Sequence, residues 1–485
     1  MFKKSLGVFL SLLLALSAVF FFGCAEKKNE RTSYEIQAQY DNGKIDGTEK
    51  VEFYNFTDKV FSELKFNLYA NAFRKSALFK PINDAYSHLA YYDGESYGEM
   101  QILSVSGDNG DFSYQIGGKD QNILIVNLKE EIFPNESVFL TIEYTITLAK
   151  VNARTGITKN SVNLANFYPV LCGIDENGFF ECEYYATGDP YFSDCSNYLV
   201  DFTAPSDYVV ASSGVKMQEK TENGKKTATY RLENARSFAI VISKDFSVLK
   251  ENVDGVEIEY YYYKDESPND SIATAKKALT YFSETFGKYA YTKLSVVQTG
   301  FIQGGMEFPG LVMISDALDE GAYHEVIAHE TAHQWWMVGV GNNEVEFPFL
   351  DEALAEYSVV LFYENHLEYG FDRQTLVDIS HKTYKVYCSV YEKLFGETNT
   401  AMLRSLGEYS SEYEYVNITY VKGAIMLDEL RKFAGDNHFF NALKDYYATY
   451  KFKNARPEDF VCVFERYGKD AEGFIYGFLD GKVII

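Results

Sequence analysis

His329 and His333 stand four residues apart, with Glu330 directly after the first. On a helix this spacing puts both imidazoles on one face, one turn apart. Two imidazoles so placed can grip one zinc ion. The glutamate between them then projects beside the metal and can take a proton from water there. The plain alternative is a pair of ordinary surface histidines. The chain has only seven histidines, which makes a chance match uncommon. A hydrolytic zinc site also needs a third protein ligand and one open position. A third histidine six residues beyond the second is excluded, because Gly339 stands there and Trp336 occupies the midway position where a glycine is required. Glu352, nineteen residues after His333, lies near the start of the next apolar helical segment and can return a carboxylate to the metal. Glu356, one turn further on, is an open alternative.

The elements that must carry these residues can be read from periodicity. Segments 270–286, 323–338, 350–369, 420–433 and 439–447 have helical spacing, while 293–298 and 311–315 read as strands. Before them, alternating runs at 34–40, 51–54, 63–69, 122–128, 137–148, 198–202, 227–232 and 238–242 read as strands, many separated by turn signals such as Asp41-Asn42-Gly43. The pattern predicts an all-β domain over 33–247 and an α+β domain over 248–485. Trp335 and Trp336, the only tryptophans, read as packing residues.

Here a family resemblance becomes specific. His329 to His333 followed by Glu352 resembles the gluzincin aminopeptidases, the aminopeptidase N and leukotriene hydrolase group. Three further segments match in the same order. Gly304-Gly305-Met306-Glu307 resembles the Gly-x-Met-Glu-Asn exopeptidase motif, with Phe308 in place of the asparagine. Tyr420-Val421-Lys422-Gly423-Ala424 resembles the Tyr-x-Lys-Gly segment. Residues 64–72 resemble a strand of the family's amino-terminal saddle domain. The resemblance implies an amino-terminal all-β saddle domain followed by a thermolysin-like α+β catalytic domain, without the large carboxy-terminal helical domain of many relatives. It implies one zinc ion on His329, His333 and Glu352, with Glu330 as general base and Tyr420 as oxyanion donor. Glu307 would hold the substrate's free amine, and Gly304, Gly305 and Met306 would line the peptide. No residue matches the family's second amine-binding position, and Asp351 replaces the usual asparagine before the third ligand.

Composition narrows the remaining classes. Nucleic-acid binding needs basic patches to replace counterions, and the formal charge of −25 argues against such partners. Lys3 and Lys4 precede an apolar run over 6–22 and then Gly23-Cys24, an export signal whose end resembles a bacterial lipobox. The expected layout is a signal peptide over 1–23 and a tether over 24–32, with Cys24 lipidated on the outer face of a bacterial cell membrane. An uncleaved anchor or a secreted form is the alternative. Five other cysteines remain, an odd number, so at most two bridges can form within one chain, and buried free thiols are expected. The expected function is a zinc aminopeptidase acting on peptides with a free amino terminus. The competing readings are a membrane-anchored peptide-binding protein of the same fold without turnover, and a zinc endopeptidase.

Overall fold

The computed structural model describes residues 30–468 and 470–483. Its first half is built from strands. Along Ser33–Asp41, Tyr34, Ile36, Ala38 and Tyr40 face inward while alternate residues face out. Asn42 and Gly43, with φ of 46° and 81°, then turn the chain into Lys44–Tyr54. Two successive positive φ values are what a two-residue hairpin needs, and Asn-Gly tolerates them best. These strands lie in an eight-stranded sheet. Ser33–Asp41 pairs in parallel with Ser196–Pro205 on one side and antiparallel with Lys44–Tyr54 on the other. Two four-stranded sheets close the core around Phe53, Phe66, Tyr144 and Tyr198.

Sheet membership changes between Ala239–Ser243 and Ser247–Val253. From there a five-stranded sheet runs in the order Ser247–Val253, Val256–Tyr262, Lys293–Thr299, Leu311–Ser315, Gly305–Phe308. The last of these is antiparallel to its neighbour and forms the sheet's edge. Helices pack beside this sheet: α1 (Pro268–Phe286), α2 (Glu320–Ala332), α3 (Phe349–Asn365), α4 (Arg373–Phe395), α5 (Lys422–Ala434), α6 (Asp436–Tyr450), α7 (Pro457–Glu465) and α8 (Ala471–Leu479). In α1, Ile272, Ala275, Leu279, Phe282 and Phe286 bury one stripe, and Pro268 suits the first turn.

The helix expected over 323–338 stops at Ala332. Beyond it Met337 takes a φ of 96°, and Trp336 pairs with Val340 in a short bridge. The apolar run continues through Trp335 and Trp336, which imitates a helix in sequence. Both rings instead enter the core from a tight turn, each donating its indole N–H, to the Gly287 carbonyl at 2.7 Å and to Ser358 Oγ at 3.0 Å. The segment expected over 350–369 ends as a helix at Asn365.

The two halves share an apolar seam in which Ala165, Val241 and Phe246 meet Val297, Met306 and Phe308. Arg236 bolts it on the polar side. Its guanidinium donates to the carbonyls of Met337 (2.7 Å), Lys453 (2.7 Å) and Ser193 (3.1 Å), and to Asn454. The five described cysteines are free thiols, and Cys24 lies outside the described residues.

Candidate metal centre

Helix α2 starts at Asp319, whose carboxylate caps the amide of Ala322 at 3.0 Å. This sets the helix so that His329 and His333, at its end, face one cavity. His333 Nδ1–H donates to the Trp336 carbonyl at 3.0 Å, an acceptor that exists because the helix has just ended. His329 Nδ1–H points at the Glu356 carboxylate, 3.3 Å away. With both Nδ1 protons engaged, both Nε2 atoms present lone pairs.

Those Nε2 atoms are 3.1 Å apart, and Glu352 Oε2, from α3, lies 3.3 Å from His329 Nε2 and 3.2 Å from His333 Nε2. Three electron-rich atoms this close repel one another unless a cation sits among them. Tetrahedral zinc with bonds of about 2.0–2.1 Å places its ligands about 3.3 Å apart. The donor set therefore fits zinc. Glu356 stands behind His329 and orients it, and Glu352 is the carboxylate beside the two rings. When the rings are protonated instead, in the absence of a metal, His333 and His329 hold the Glu352 carboxyl well below the carboxylate range against the opposing push of burial.

Glu330 is 5% exposed, and its Oε2 has no hydrogen-bond partner. Burial pushes its carboxyl above the ordinary value, against the pull of the two imidazoles. Its other side rests on the edge strand at Gly305, where a Cβ would collide with the Glu330 carboxylate. Gly304, with φ of 81°, turns the chain into that strand. Met306 points away from the cavity, and its sulfur accepts from Arg154 Nε at 3.0 Å. Glu307 faces the site, 3% exposed, with Oε1 unpartnered. Burial drives its carboxyl well above the usual range.

Tyr420 arrives from a single wide turn, Asn417–Val421, that precedes α5. Such turns recur at functional sites because they redirect one side chain. Its hydroxyl donates to Glu352 Oε1. The rest of the Tyr-x-Lys-Gly segment holds this geometry. Lys422 Nζ is buried and donates to the Phe478 carbonyl at 2.7 Å and to that of Thr400. Gly423 lets α5 press against Ala353, the neighbour of Glu352.

His329, His333, Glu352, Glu356, Glu330, Gly304, Gly305, Glu307 and Tyr420 line one cavity of about 490 Å³. A larger groove of about 680 Å³ on the eight-stranded sheet, lined by residues such as Gln37, Thr48 and Thr203, holds no cluster of metal donors. Sequence reasoning missed several groups at the site. Asp189, which lines the cavity, is ion-paired with buried Arg154. Glu344 has an unpartnered buried oxygen and lies with Glu307 and Asp351, their ligand atoms within 4.8 Å of one another. Tyr415 stacks edge-on to Tyr420 at 5.7 Å. These residues come from scattered segments and carry no fixed spacing. The Gly188-Asp189-Pro190 turn is the one local signal among them.

The profile described as the Peptidase family M1 domain matches residues 271–476. Among curated proteins the chain is similar to Aminopeptidase M1-B of Oryza sativa subsp. japonica, 24% identical over 299 residues, covering 56% of this chain and 32% of that protein. It is also similar to Probable aminopeptidase 1 of Sulfurisphaera tokodaii, 25% identical over 217 residues, covering 41% of this chain and 26% of that protein. The chain thus spans about a third or less of the length of these relatives. In fold it matches the M1 zinc metallopeptidase of Deinococcus radiodurans with a TM-score of 0.65 at 16% identity, over 94% of this chain and 96% of that one. A mutant of that metallopeptidase has been solved with a Tyr-Ser-Ala substrate bound, and it matches with a TM-score of 0.64. Ligand set, edge strand and profile agree: residues 271–476 match the Peptidase family M1 domain, and the chain shares its fold with the M1 zinc metallopeptidase of Deinococcus radiodurans.

Proposed function

We propose that this protein is a zinc-dependent aminopeptidase that hydrolyses the first bond of peptides with a free amino terminus. The observation that carries the reading is the buried, unpartnered Glu307 carboxylate in the same cavity as the His329–His333–Glu352 donors. A buried carboxylate without a partner costs free energy until a cation meets it, and a substrate ammonium is such a cation.

A bound zinc ion supplies Lewis acidity, polarising the scissile carbonyl and acidifying water. Glu330, raised by burial into the range of a general base, accepts the proton from water and later hands it to the leaving amine. Tyr420 turns its hydroxyl from Glu352 toward the oxygen that becomes negative. Glu307 anchors the ammonium and so sets which bond reaches the metal. The free edge of Gly305–Phe308 receives the peptide backbone as an added strand.

The test compares amino-acid anilides with their amino-blocked forms. Glu330→Gln should retain zinc and lose turnover, and Glu307→Ala should lose the preference for free amines. Equal cleavage of blocked substrates would favour an endopeptidase. Zinc binding without turnover on any peptide would favour a binding protein.

We also infer that the chain is held on the outer face of a bacterial membrane through lipidated Cys24. The basic start, the apolar run and Gly23-Cys24 support this. Labelling with a fatty-acid probe should mark the wild type and not Cys24→Ser. An unlabelled wild type would reject the anchor.

A further inference from the structure

Seven carboxylates line the active-site cavity against one guanidinium, that of Arg154, and Arg154 is already held by Asp189 and by the sulfur of Met306. A divalent ion and a substrate ammonium still leave the cavity negative. The cavity is marked as a ligand site independently of its charge, because Glu307 Oε1 and Glu330 Oε2 are deeply buried, line it and lack partners.

The two ends of the cavity differ. Ligand atoms of Glu307, Glu330 and His333 lie within 4.8 Å of one another, so the amine end of the cavity is the His333 end. At the opposite end His329 turns its Nδ1 to Glu356 at 3.3 Å. Glu325 stands one helical turn before His329, at the solvent-facing mouth. Glu325 and Glu356 both line the cavity at this end, one a helical turn before His329 and the other against its ring. Among the described residues no lysine or arginine pairs with Glu325 or Glu356.

A peptide anchored by its ammonium at Glu307 runs one residue to the scissile bond over the metal. Its second residue, the leaving one, therefore lies at the His329 end. We propose that Glu325 and Glu356 form a subsite for a cationic side chain, so that the favoured substrates are peptides with lysine or arginine as the second residue. This rests on the aminopeptidase reading. A charged hydrogen bond at a half-shielded site is strong enough for a preference of about tenfold. An acidic second residue meets like charge and is rejected.

The experiment measures kcat/KM for alanine release from Ala-Lys-Ala, Ala-Ala-Ala and Ala-Glu-Ala by the zinc-loaded full chain. The wild type should rank them lysine, alanine, glutamate, with about tenfold between the first two and a gap that narrows as salt rises. Glu325→Gln should shrink the lysine advantage, and Glu325→Lys should move the preference toward glutamate. Equal rates on the three peptides in the wild type, or a ranking unmoved by both substitutions, would overturn the subsite while leaving the aminopeptidase reading intact. Failure of the zinc-loaded wild type to release alanine from any of the three would remove both.

Discussion

The carboxylate of Glu330 lies against the α-carbon of Gly305, so the proposed general base and the strand that carries Glu307 are in direct contact. A methyl group at that point has nowhere to go except into the carboxylate. Gly305→Ala should therefore displace Glu330 while leaving the zinc ligands in place. The expected result is full zinc occupancy with kcat lowered by about a hundredfold, the scale of a misplacement near 1 Å. Zinc content by atomic emission and steady-state kinetics on an anilide check it together. Loss of zinc in step with activity would contradict the argument.

Glu356 holds the outer nitrogen of His329 and would act on a bound metal through that ring. Its removal should weaken zinc affinity by about 10–100-fold. Competition with a chromophoric chelator measures this on the unreacted protein. Glu356→Asp should recover part of the affinity. An unchanged zinc constant in Glu356→Ala would mean that the ring is oriented by packing alone.

Glu49 concerns stability rather than catalysis. It is 0% exposed in the core of the β domain, and both its oxygens lack partners. Burial raises its carboxyl well above the ordinary 4.5. The folded chain thus keeps a proton that the unfolded chain releases. Folding weakens as pH climbs above about 4.5, by about 1.4 kcal/mol per unit, until the folded carboxyl itself ionises. Glu49→Gln has no proton to lose. Its melting temperature should match the wild type near pH 4.5 and exceed it by several degrees at pH 8. A gap that does not change with pH would show that the group is ionised in the fold.

Arg236 joins the halves through the carbonyls of Met337 and Lys453 while also holding that of Ser193 in its own half. Arg236→Ala strands these buried acceptors and should cost about 2–4 kcal/mol. Calorimetry should show a lowered melting point and a split into two transitions, one for each half. A single unshifted transition would mean that the apolar seam around Val241 and Phe308 holds the halves alone.

The donor residues were legible because their signal is local: His329, Glu330 and His333 share two turns of one helix, and Glu352 opens the next. Turn chemistry at Asn42-Gly43 and the stripe of α1 were equally local. Helix α4 was not read, although it runs from Arg373 to Phe395. It buries few apolar positions, and Val386, Leu394 and Phe395 are exposed, which blurs the 3.6-residue rhythm. The Arg154–Asp189 pair and the place of Glu344 beside Glu307 depend on the packing of distant segments. Neither leaves a spacing to read.

The early end of α2 has a consequence for how the proposed zinc site would fail. His333 depends on a carbonyl that the turn at Trp336 provides, and that turn is pinned by two indoles sunk in the same hydrophobic mass as α1 and α6. Loosening that mass anywhere nearby, by heat or by trimming Phe282 or Tyr446, would let the imidazole rotate before the backbone unravels. Inactivation would then begin as leakage of the ion, and added zinc would slow it.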